Sequence, residues 1–468
     1  MIQLNLGEIA TAVGGKLLDL NHGETTVTSS VETDSRLVQL GGLFVAKPGE
    51  QTDGHLFVGA AKQAGAVAAI VEHEIADVQL PQIIVANAVE ALGLLAKHVL
   101  QVVRQRSDLQ VIGITGSNGK TTTKNMLREI LSTAGETIAP IESFNNEVGA
   151  PISILKVTED TKYLVVELGA GGEGSIRYLA EIAKPNIGVV LKVGLAHVGE
   201  FGGIETTAKI KSELPEALGA DDLLILNADD GYVREMHSLT AAKKVWFGTS
   251  GDANYRATGQ NLDISGTNFE LNWPDSQVSQ VKLQILGEHH IMNALAAAAV
   301  ADSLGIDRTE IVSALEKMPL AERWRMQLMQ RNDGVTVIND AYNASPDSTK
   351  AALQTLAQLG KSGRRTIAVL GEMAELGEAS REQHDAIGRI VVRLNIDQLV
   401  VVGQAAKLIH MGAEQEGSWA GESKFFESID EALGYLRGML MAGDIVLVKS
   451  SKSANLRHLG DDLMEVNA

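Results

Sequence analysis

The chain has 468 residues, no cysteine and a formal net charge of −19 at pH 7. The lack of thiols excludes disulfide bonds, thiolate metal sites and a cysteine nucleophile, and the acidic excess makes nucleic acid and anionic membranes unfavourable partners. Apolar residues make up 45% of the chain and aromatic residues only 4%, a balance that favours helices packed on parallel sheets. At about 150 residues per domain we expect about three domains.

The chain starts without a basic stretch followed by an apolar core, and no apolar run is long enough to span a membrane. We therefore expect a cytoplasmic, soluble protein without membrane insertion. Separately, we expect a monomer. Strand-like segments at 43–46 and 66–71 predict a small N-terminal α/β domain over residues 1–84. A helical pattern over 89–105 is predicted to join it to the next domain.

The segment 111–123 carries the most information in the chain. An apolar strand over 111–115 runs into a glycine-containing loop that ends in Lys120 and opens a helix. Such a loop turns backbone N–H groups inward, the lysine reaches the terminal phosphates, and the Thr121 hydroxyl can bind Mg²⁺. A glycine-rich turn without a ligand is the alternative. The predicted nucleotide-binding residues of the loop are Gly116, Ser117, Asn118, Gly119, Lys120, Thr121 and Thr122.

The central domain, predicted over residues 85–320, repeats buried strands separated by helix-length segments. Together these predict a doubly wound parallel sheet. A polar region over 251–280 is predicted to add antiparallel strands, and an alanine-rich helix follows over 292–304. The predicted parallel strands are 111–115, 163–168, 187–193 and 223–227.

The third domain is predicted over residues 321–468 and again alternates strands with helices, which indicates a Rossmann-like parallel sheet. The overall prediction is therefore an α/β protein of three domains, the central one carrying the phosphate loop. The predicted strands of the third domain are 335–339, 366–370, 398–402 and 444–448.

Two side chains near strand ends are candidate metal ligands. Glu167 ends an apolar strand and His197 lies just beyond the next one, and parallel sheets gather ligands at the carboxyl ends of their strands. A carboxylate beside a phosphate loop can bind Mg²⁺. The alternatives are a capped or exposed glutamate and a structural histidine.

Several amides could orient a ligand. Asn145 and Asn146 precede turn residues and could face a substrate, although turn formation explains them almost as well. Asn293 lies one turn into a helix and could read a base edge, with an ordinary helix start as the alternative. The polar string 339–346 follows a strand and could bind a ligand or build an Asx turn.

Taken in order, these strings resemble the Mur ligases, the amide-forming enzymes of peptidoglycan precursor synthesis. The match covers essentially the whole chain, and the order of the motifs carries it. Two positions and one segment depart from the family pattern: His290 stands where Asn is usual, Asn339 where Asp is frequent, and 449–453 where Gly and Arg are usual. The matching strings are 33–36, 44–46, 53–55, 116–121, 144–146, 167–169, 196–197, 208–213, 289–293 and 340–343.

The resemblance implies roles for residues that the sequence alone leaves unassigned. The local sequence by itself predicts that Lys211 is an exposed lysine on a helix. The resemblance to the family implies instead that Lys211 is carbamoylated and binds a second Mg²⁺. The implied catalytic residues are Lys120, Glu167, His197 and Lys211, and the implied metal ligands are Thr121, Glu167, His197 and Lys211. The implied nucleotide contacts outside the loop are Asn293, Arg325, Asp340 and Tyr342, and the implied UDP contacts are Ser35 and Arg36. With the amides Asn145 and Asn146, these last two make up the predicted substrate contacts.

The resemblance also implies the reaction. An N-terminal domain would bind UDP-MurNAc-tripeptide, the central domain ATP with two Mg²⁺ ions, and the C-terminal domain would close over the site and receive D-alanyl-D-alanine. An acyl phosphate would then be converted into an amide. Three alternatives stay open: the sister ligase that adds the third-position diamino acid, a folylpolyglutamate synthetase, and a non-ligase ATP-dependent switch.

Overall fold

The computed structural model describes residues 1–49, 52–140, 144–195, 202–318, 323–417 and 422–465. These residues form three successive α/β units, each built on its own sheet, which we call the N-terminal, central and C-terminal sheets. The α/β prediction is confirmed. The domain boundaries at 84 and 320 stay predictions.

The N-terminal sheet has the strand order β2-β7-β6-β5-β4 and is antiparallel only between β2 and β7, while β1 and β3 pair separately. The strands are β1 (Leu4–Asn5), β2 (Lys16–Leu17), β3 (Thr26–Val27), β4 (Val31–Glu32), β5 (Leu43–Val45), β6 (Ala68–Val71) and β7 (Gln82–Ile84). The helices are Leu6–Ala12, Val58–Ala64 and Ala88–Arg106.

The central sheet has the order β16-β15-β14-β13-β12-β11-β8-β10-β9. Its strands are β8 (Gln110–Thr115), β9 (Glu136–Ile138), β10 (Thr161–Glu167), β11 (Ile187–Val190), β12 (Leu223–Asn227), β13 (Lys243–Gly248), β14 (Tyr255–Asp263), β15 (Gly266–Asn272) and β16 (Val278–Leu283). Its helices are Lys120–Leu131, Gly149–Ile154, Ser175–Ala183, Ile204–Glu216, Gly231–Glu235, His289–Ser303 and Arg308–Lys317.

The position of β8 in the central sheet decides where the phosphate loop lies. It pairs in parallel with β10 on one side and β11 on the other, so the loop after β8 opens between the ends of two neighbouring strands. The β14–β16 meander extends the same sheet with antiparallel pairs, as the polar region predicted. The strand predicted over 187–193 ends at Val190, because the chain then turns toward the phosphate loop.

The C-terminal sheet has the order β17-β18-β22-β19-β20-β21, and only β17 is antiparallel. The strands are β17 (Gln327–Gln330), β18 (Thr336–Asn339), β19 (Thr366–Leu370), β20 (Gln398–Val402), β21 (Ser423–Phe426) and β22 (Ile445–Lys449). The helices are Pro346–Gly360, Ser380–Arg393, Lys407–Glu416, Ile429–Met439 and Leu456–Asp462.

The predicted joining helix is present as Ala88–Arg106, with Asn87 as its N-cap. Its buried apolar side belongs to a core that includes residues of both the N-terminal and the central sheets, and its Arg104 donates to the Lys184 carbonyl of the central unit at 2.6 Å. The helix therefore packs on both units. Within the described ranges, none of the helices combines the length and apolar character that crossing a bilayer requires.

Candidate active site

The phosphate loop is built around two glycines that no other residue could replace without strain. Gly116 has φ 153° and Gly119 has φ 88°. A Cβ on Gly116 would lie 2.9 Å from Leu191 Cβ, and one on Gly119 would lie 2.3 Å from Asn293 Oδ1. The backbone of the loop therefore approaches its neighbours too closely to leave room for a side chain at either glycine, as in a phosphate-binding turn.

Lys120 opens the helix that follows the loop and folds back over it. Its Nζ donates a hydrogen bond to the Gly116 carbonyl at 2.5 Å. Burial lowers the pKa of Lys120, and the nearby Arg325 guanidinium lowers it further while Glu167 opposes this shift. The ammonium group is therefore held at the loop, where it can contact a bound phosphate.

Ser117 connects the loop by hydrogen bonds to the segment that follows β11. Its Oγ accepts a hydrogen bond from Gly194 N at 2.9 Å and donates one to Gly194 O at 3.1 Å, while Ser117 N donates to Lys192 O at 2.8 Å. The Ser117 side chain is thus engaged in shaping the loop.

Glu167 lies beside the phosphate loop at the end of β10 and is completely buried. Its Oε2 accepts from Thr121 Oγ1 at 3.3 Å. Its Oε1 lies 3.3 Å from Lys124 Nζ but makes no hydrogen bond. Glu167 and Thr121 lie together at the loop, as the sequence analysis predicted. The alternative of an exposed glutamate is wrong.

The same oxygens suit a magnesium ion. Carboxylate and hydroxyl oxygens are the ligands that Mg²⁺ prefers, and the ion keeps several waters or phosphate oxygens beside a few protein ligands. The buried Glu167 Oε1 without a hydrogen bond fits such a ligand. Across the described ranges no cluster of three or more His, Cys, Asp or Glu side chains could hold a metal by itself. The predicted ligand His197 lies outside the described residues.

Lys211 is buried, so the expectation of an exposed lysine is wrong. Lys211 belongs to helix Ile204–Glu216 and is only 3% exposed. Burial, and secondarily the charge of Lys120, lowers its pKa to about 7. At neutral pH a large fraction of this amine is therefore uncharged. Within the same string, Glu213 accepts from Gly174 N and Arg177 N at 2.6 and 2.9 Å, which stabilises the neighbouring helix.

Asn293 lies against the phosphate loop from the other side. Its Oδ1 accepts from Thr123 Oγ1 at 3.3 Å, and its Nδ2 lies 3.3 Å from His290 Nδ1. Burial lowers the pKa of His290 well below its usual value, which keeps the imidazole neutral. Asn293 therefore touches the loop, while a contact with a nucleotide base stays a prediction.

The residues just before β17 have an unusual backbone conformation that the sequence analysis did not predict. Trp324 has φ 65° and Met326 has φ 49°, left-handed values that strain bulky residues. Asp461 holds this shape, since its Oδ2 accepts from Trp324 Nε1 at 3.0 Å and from Arg323 Nη2 at 2.8 Å. Between the two strained residues, the Arg325 guanidinium lies 4.2 Å from the Tyr342 ring centroid.

Asp340 is engaged within the C-terminal unit. Its Oδ2 lies 2.5 Å from Lys449 Nζ, and its Oδ1 accepts from Met326 N at 3.0 Å. The neighbouring Asn339 donates to Asp461 Oδ1 at 3.2 Å and to the Arg457 carbonyl at 2.8 Å. An aspartate at position 339 would repel the carboxylate of Asp461, whereas the Asn339 amide donates a hydrogen bond to it. This contact explains the amide at position 339.

The predicted substrate contacts lie in two places, the turn after β4 and the segment before helix Gly149–Ile154. Arg36 is highly exposed and pairs with Asp34, its Nη2 lying 2.6 Å from Oδ2, and this pair lowers the pKa of Asp34 to about 2. Ser35 lies between them in the turn after β4. Asn146 Oδ1 accepts from Gly149 N at 2.9 Å, a local turn contact, and Asn145 O accepts from Gly169 N at 2.8 Å, next to Glu167.

Sequence reasoning missed several residues around the loop. Lys124 is buried beside Glu167, and its spacing of four residues from Lys120 on one helix could have placed it there. Asp347 reaches the central unit from the C-terminal unit, and Lys449 neutralises Asp340. The partners Lys192 and Asp347 are separated by 155 positions in the sequence, and Asp340 and Lys449 by 109. No local spacing of residues predicts such contacts.

A phosphate loop at the carboxyl edge of a parallel sheet, faced by a second Rossmann-like sheet, defines a multidomain nucleotide-binding protein of the P-loop class. Family models match the chain over three ranges: the Mur ligase middle domain over residues 114–301, the Mur ligase glutamate ligase domain over 324–452, and the Mur ligase family catalytic domain over 28–100.

Named relatives match the chain along its whole length. It is 41% identical to the UDP-N-acetylmuramoyl-tripeptide–D-alanyl-D-alanine ligase of Mycobacterium tuberculosis strain H37Rv, with 99% of this chain and 98% of the relative covered. The crystal structure of MurF from Acinetobacter baumannii superposes with a TM-score of 0.89 at 32% identity, covering 99% of both chains. MurF from Thermotoga maritima in complex with ADP gives 0.81 at 27% identity, covering 94% and 97%. The chain belongs to the Mur ligase family.

Proposed function

We propose that the chain is an ATP-dependent amide ligase that joins D-alanyl-D-alanine to UDP-N-acetylmuramoyl-tripeptide in peptidoglycan precursor synthesis. The observation that carries the proposal is the phosphate loop at which Lys120 Nζ donates to the Gly116 carbonyl and Glu167 Oε2 accepts from Thr121 Oγ1. The C-terminal unit contacts this loop through Ser345. Full-length identity of 41% to a ligase of that name supports the choice of substrates.

The chemistry follows from the poor reactivity of a carboxylate toward amines. The terminal carboxylate of the tripeptide attacks the γ-phosphorus of ATP, a C–O–P bond forms, and the bond to ADP breaks. The amine of D-alanyl-D-alanine then attacks the acyl carbon, a C–N bond forms, phosphate leaves and the amine loses a proton. Lys120 and Arg325 stabilise charge on the transferring phosphoryl group, and the facing units align the two reactants.

Thr121 and Glu167 would hold one Mg²⁺ ion, and His197 with a modified Lys211 would hold the other. When bound, these ions neutralise phosphate charge and polarise the transferring group. Carbamoylation of Lys211 fits its environment, because a buried amine with a pKa of about 7 is partly uncharged at neutral pH and can attack carbon dioxide. The product would be a carboxylate on a helix that already faces Lys120.

The remaining assignments concern binding. Ser35 and Arg36 would contact the UDP group, and Asn145 and Asn146 the muramoyl peptide. Around the nucleotide, Asn293 and Tyr342 would lie near adenine and Asp340 near the ribose. Cytoplasmic location and the monomeric state belong to the same proposal.

A coupled assay of ADP release tests the function. UDP-MurNAc-tripeptide and UDP-MurNAc-dipeptide are each offered with D-alanyl-D-alanine, D-alanine, lysine or meso-diaminopimelate. We expect ADP and a new amide only from the tripeptide with D-alanyl-D-alanine. Amide formation from the dipeptide and a diamino acid would identify the sister ligase. ADP release from ATP alone would identify a nucleotide-dependent switch.

A further inference from the structure

A carboxylate of the C-terminal unit reaches the backbone of the central unit beside the phosphate loop. Asp347 lies in the first turn of helix Pro346–Gly360. Its Oδ2 accepts a hydrogen bond from Leu195 N at 2.9 Å, and its Oδ1 lies 3.3 Å from Lys192 Nζ. Both partners belong to the segment 192–195 that follows β11.

The phosphate loop holds the same segment from the opposite side. Ser117 exchanges two hydrogen bonds with the backbone of Gly194. A Cβ on Gly194 would lie 2.5 Å from Asp347 Oδ2 and 3.6 Å from Ser117 Cβ. Gly194 is therefore sandwiched between a side chain of the loop and a side chain of the C-terminal unit.

A second contact joins the two units at the same place. Ser345, the N-cap of the helix that carries Asp347, donates from Oγ to Asn118 Oδ1 at 3.4 Å. Asn118 is itself a loop residue, so the start of this helix touches the loop directly as well as through Gly194.

The hydrogen bond to Leu195 N matters more than the ion pair. The Lys192 side chain is 46% exposed and that of Asp347 is 27% exposed, and ion pairs at such exposure contribute little. A carboxylate that accepts from a partly buried backbone N–H forms a stronger, charge-assisted bond. The backbone contact fixes the position of the segment, whereas the lysine adds only a flexible partner.

We infer that Asp347 is a positioning residue that sets the C-terminal unit in register with the phosphate loop. It acts through Gly194 and Ser117, and does not bind the nucleotide itself, since a carboxylate would repel the phosphates. The inference rests on the proposed function in one respect: in the ligase, this docking would hold the C-terminal unit, which carries Arg325, at the phosphate loop for phosphoryl transfer.

Ligase kinetics form the first test. Replacing Asp347→Ala removes both contacts, and we expect kcat to fall about 10- to 100-fold, the range for losing a hydrogen bond to a charged group. Asp347→Asn keeps an oxygen acceptor for Leu195 N, and Lys192→Ala removes only the ion pair. Both are expected to stay within about fivefold of the wild type. An Asp347→Ala enzyme that is slowed less than about tenfold would overturn the inference.

Coupling to the loop separates positioning from simple structural support. Because Asp347 and Ser117 hold the same segment, the loss in the double variant Asp347→Ala/Ser117→Ala should be smaller than the product of the two single losses. Losses that multiply would show that the two residues act independently, and the inference would be wrong.

A distance measurement tests the docking without relying on activity. The chain has no cysteine, so Lys243→Cys in the central unit and Met411→Cys in the C-terminal unit, both at exposed positions, accept spin labels selectively. With Mg²⁺ and a non-hydrolysable ATP analogue as the probe, the parent should show one narrow distance, and Asp347→Ala should add longer distances. An unchanged distribution overturns the inference whatever the activity. If Asp347→Ala shifts the distances but the parent forms no amide, the proposed function fails and the inference stands.

Discussion

Lys124 Nζ and Glu167 Oε1 lie 3.3 Å apart, and neither side chain is accessible to solvent. A buried ion pair of this kind gains little over an apolar pair, but removing one partner leaves an uncompensated charge. Lys124 therefore supplies a buried counter-charge to the Glu167 carboxylate next to the phosphate loop.

The first prediction concerns this pair. Lys124→Met should destabilise the folded chain by about 3 to 5 kcal/mol, because the Glu167 charge loses its buried counterion. The double variant Lys124→Met/Glu167→Gln should be less destabilised than the sum of the single variants. Thermal and urea unfolding of the full chain, with Arg128→Met on the same helix as the more exposed control, measure the effect. Additive losses would contradict it.

The second prediction concerns Lys120. Lys120→Ala should lower kcat by about three orders of magnitude, as expected for removing a preorganised charge contact, and should leave binding of the UDP-linked substrate nearly unchanged. Lys350→Ala, at an exposed position of helix Pro346–Gly360, serves as the control. Turnover within about tenfold of wild type corresponds to only about 1.4 kcal/mol and would rule out this role.

The third prediction concerns Lys211. Lys211→Ala should abolish ligase activity with the fold preserved, and short carboxylates in the assay should restore part of it, because they replace the carbamate oxygens. The matched control is Lys209→Ala on the same helix, where the side chain is 68% exposed and pairs with Glu173. Full activity of Lys211→Ala without any carboxylate would show that the carbamate is unnecessary.

The fourth prediction is a pH dependence of stability. Burial lowers the pKa of His289 from 6.5 to about 4, with Lys449 and Lys192 adding to the shift and Asp340 opposing it. The unfolded chain therefore takes up the proton first, and stability should fall as the pH drops from about 6.5 toward 4. The unfolding temperature of His289→Gln should fall less steeply in this range than that of the wild type. The same substitution at half-exposed His22 is the control, and equal slopes would contradict the prediction.

Local patterns determined the phosphate loop and the parallel strands. The apolar strand, the glycines and Lys120 stand next to one another in the chain, so spacing alone predicted the turn between β8 and its helix. Strands such as 223–227 and 366–370 were predicted at their observed bounds because buried strands are short, continuous apolar runs. The short strands β9 and β17 were missed, since their mixed polar sequences carry no such run.

Only the tertiary structure decided which side chains meet at the loop. Burial of Lys211, the Lys124 pair and the contact of Asp347 with Leu195 depend on how sheets far apart in sequence are placed against one another. A helical lysine has the same local pattern whether its face meets solvent or another unit. The environment that shifts its pKa is created by packing, and no spacing of residues along the chain encodes it.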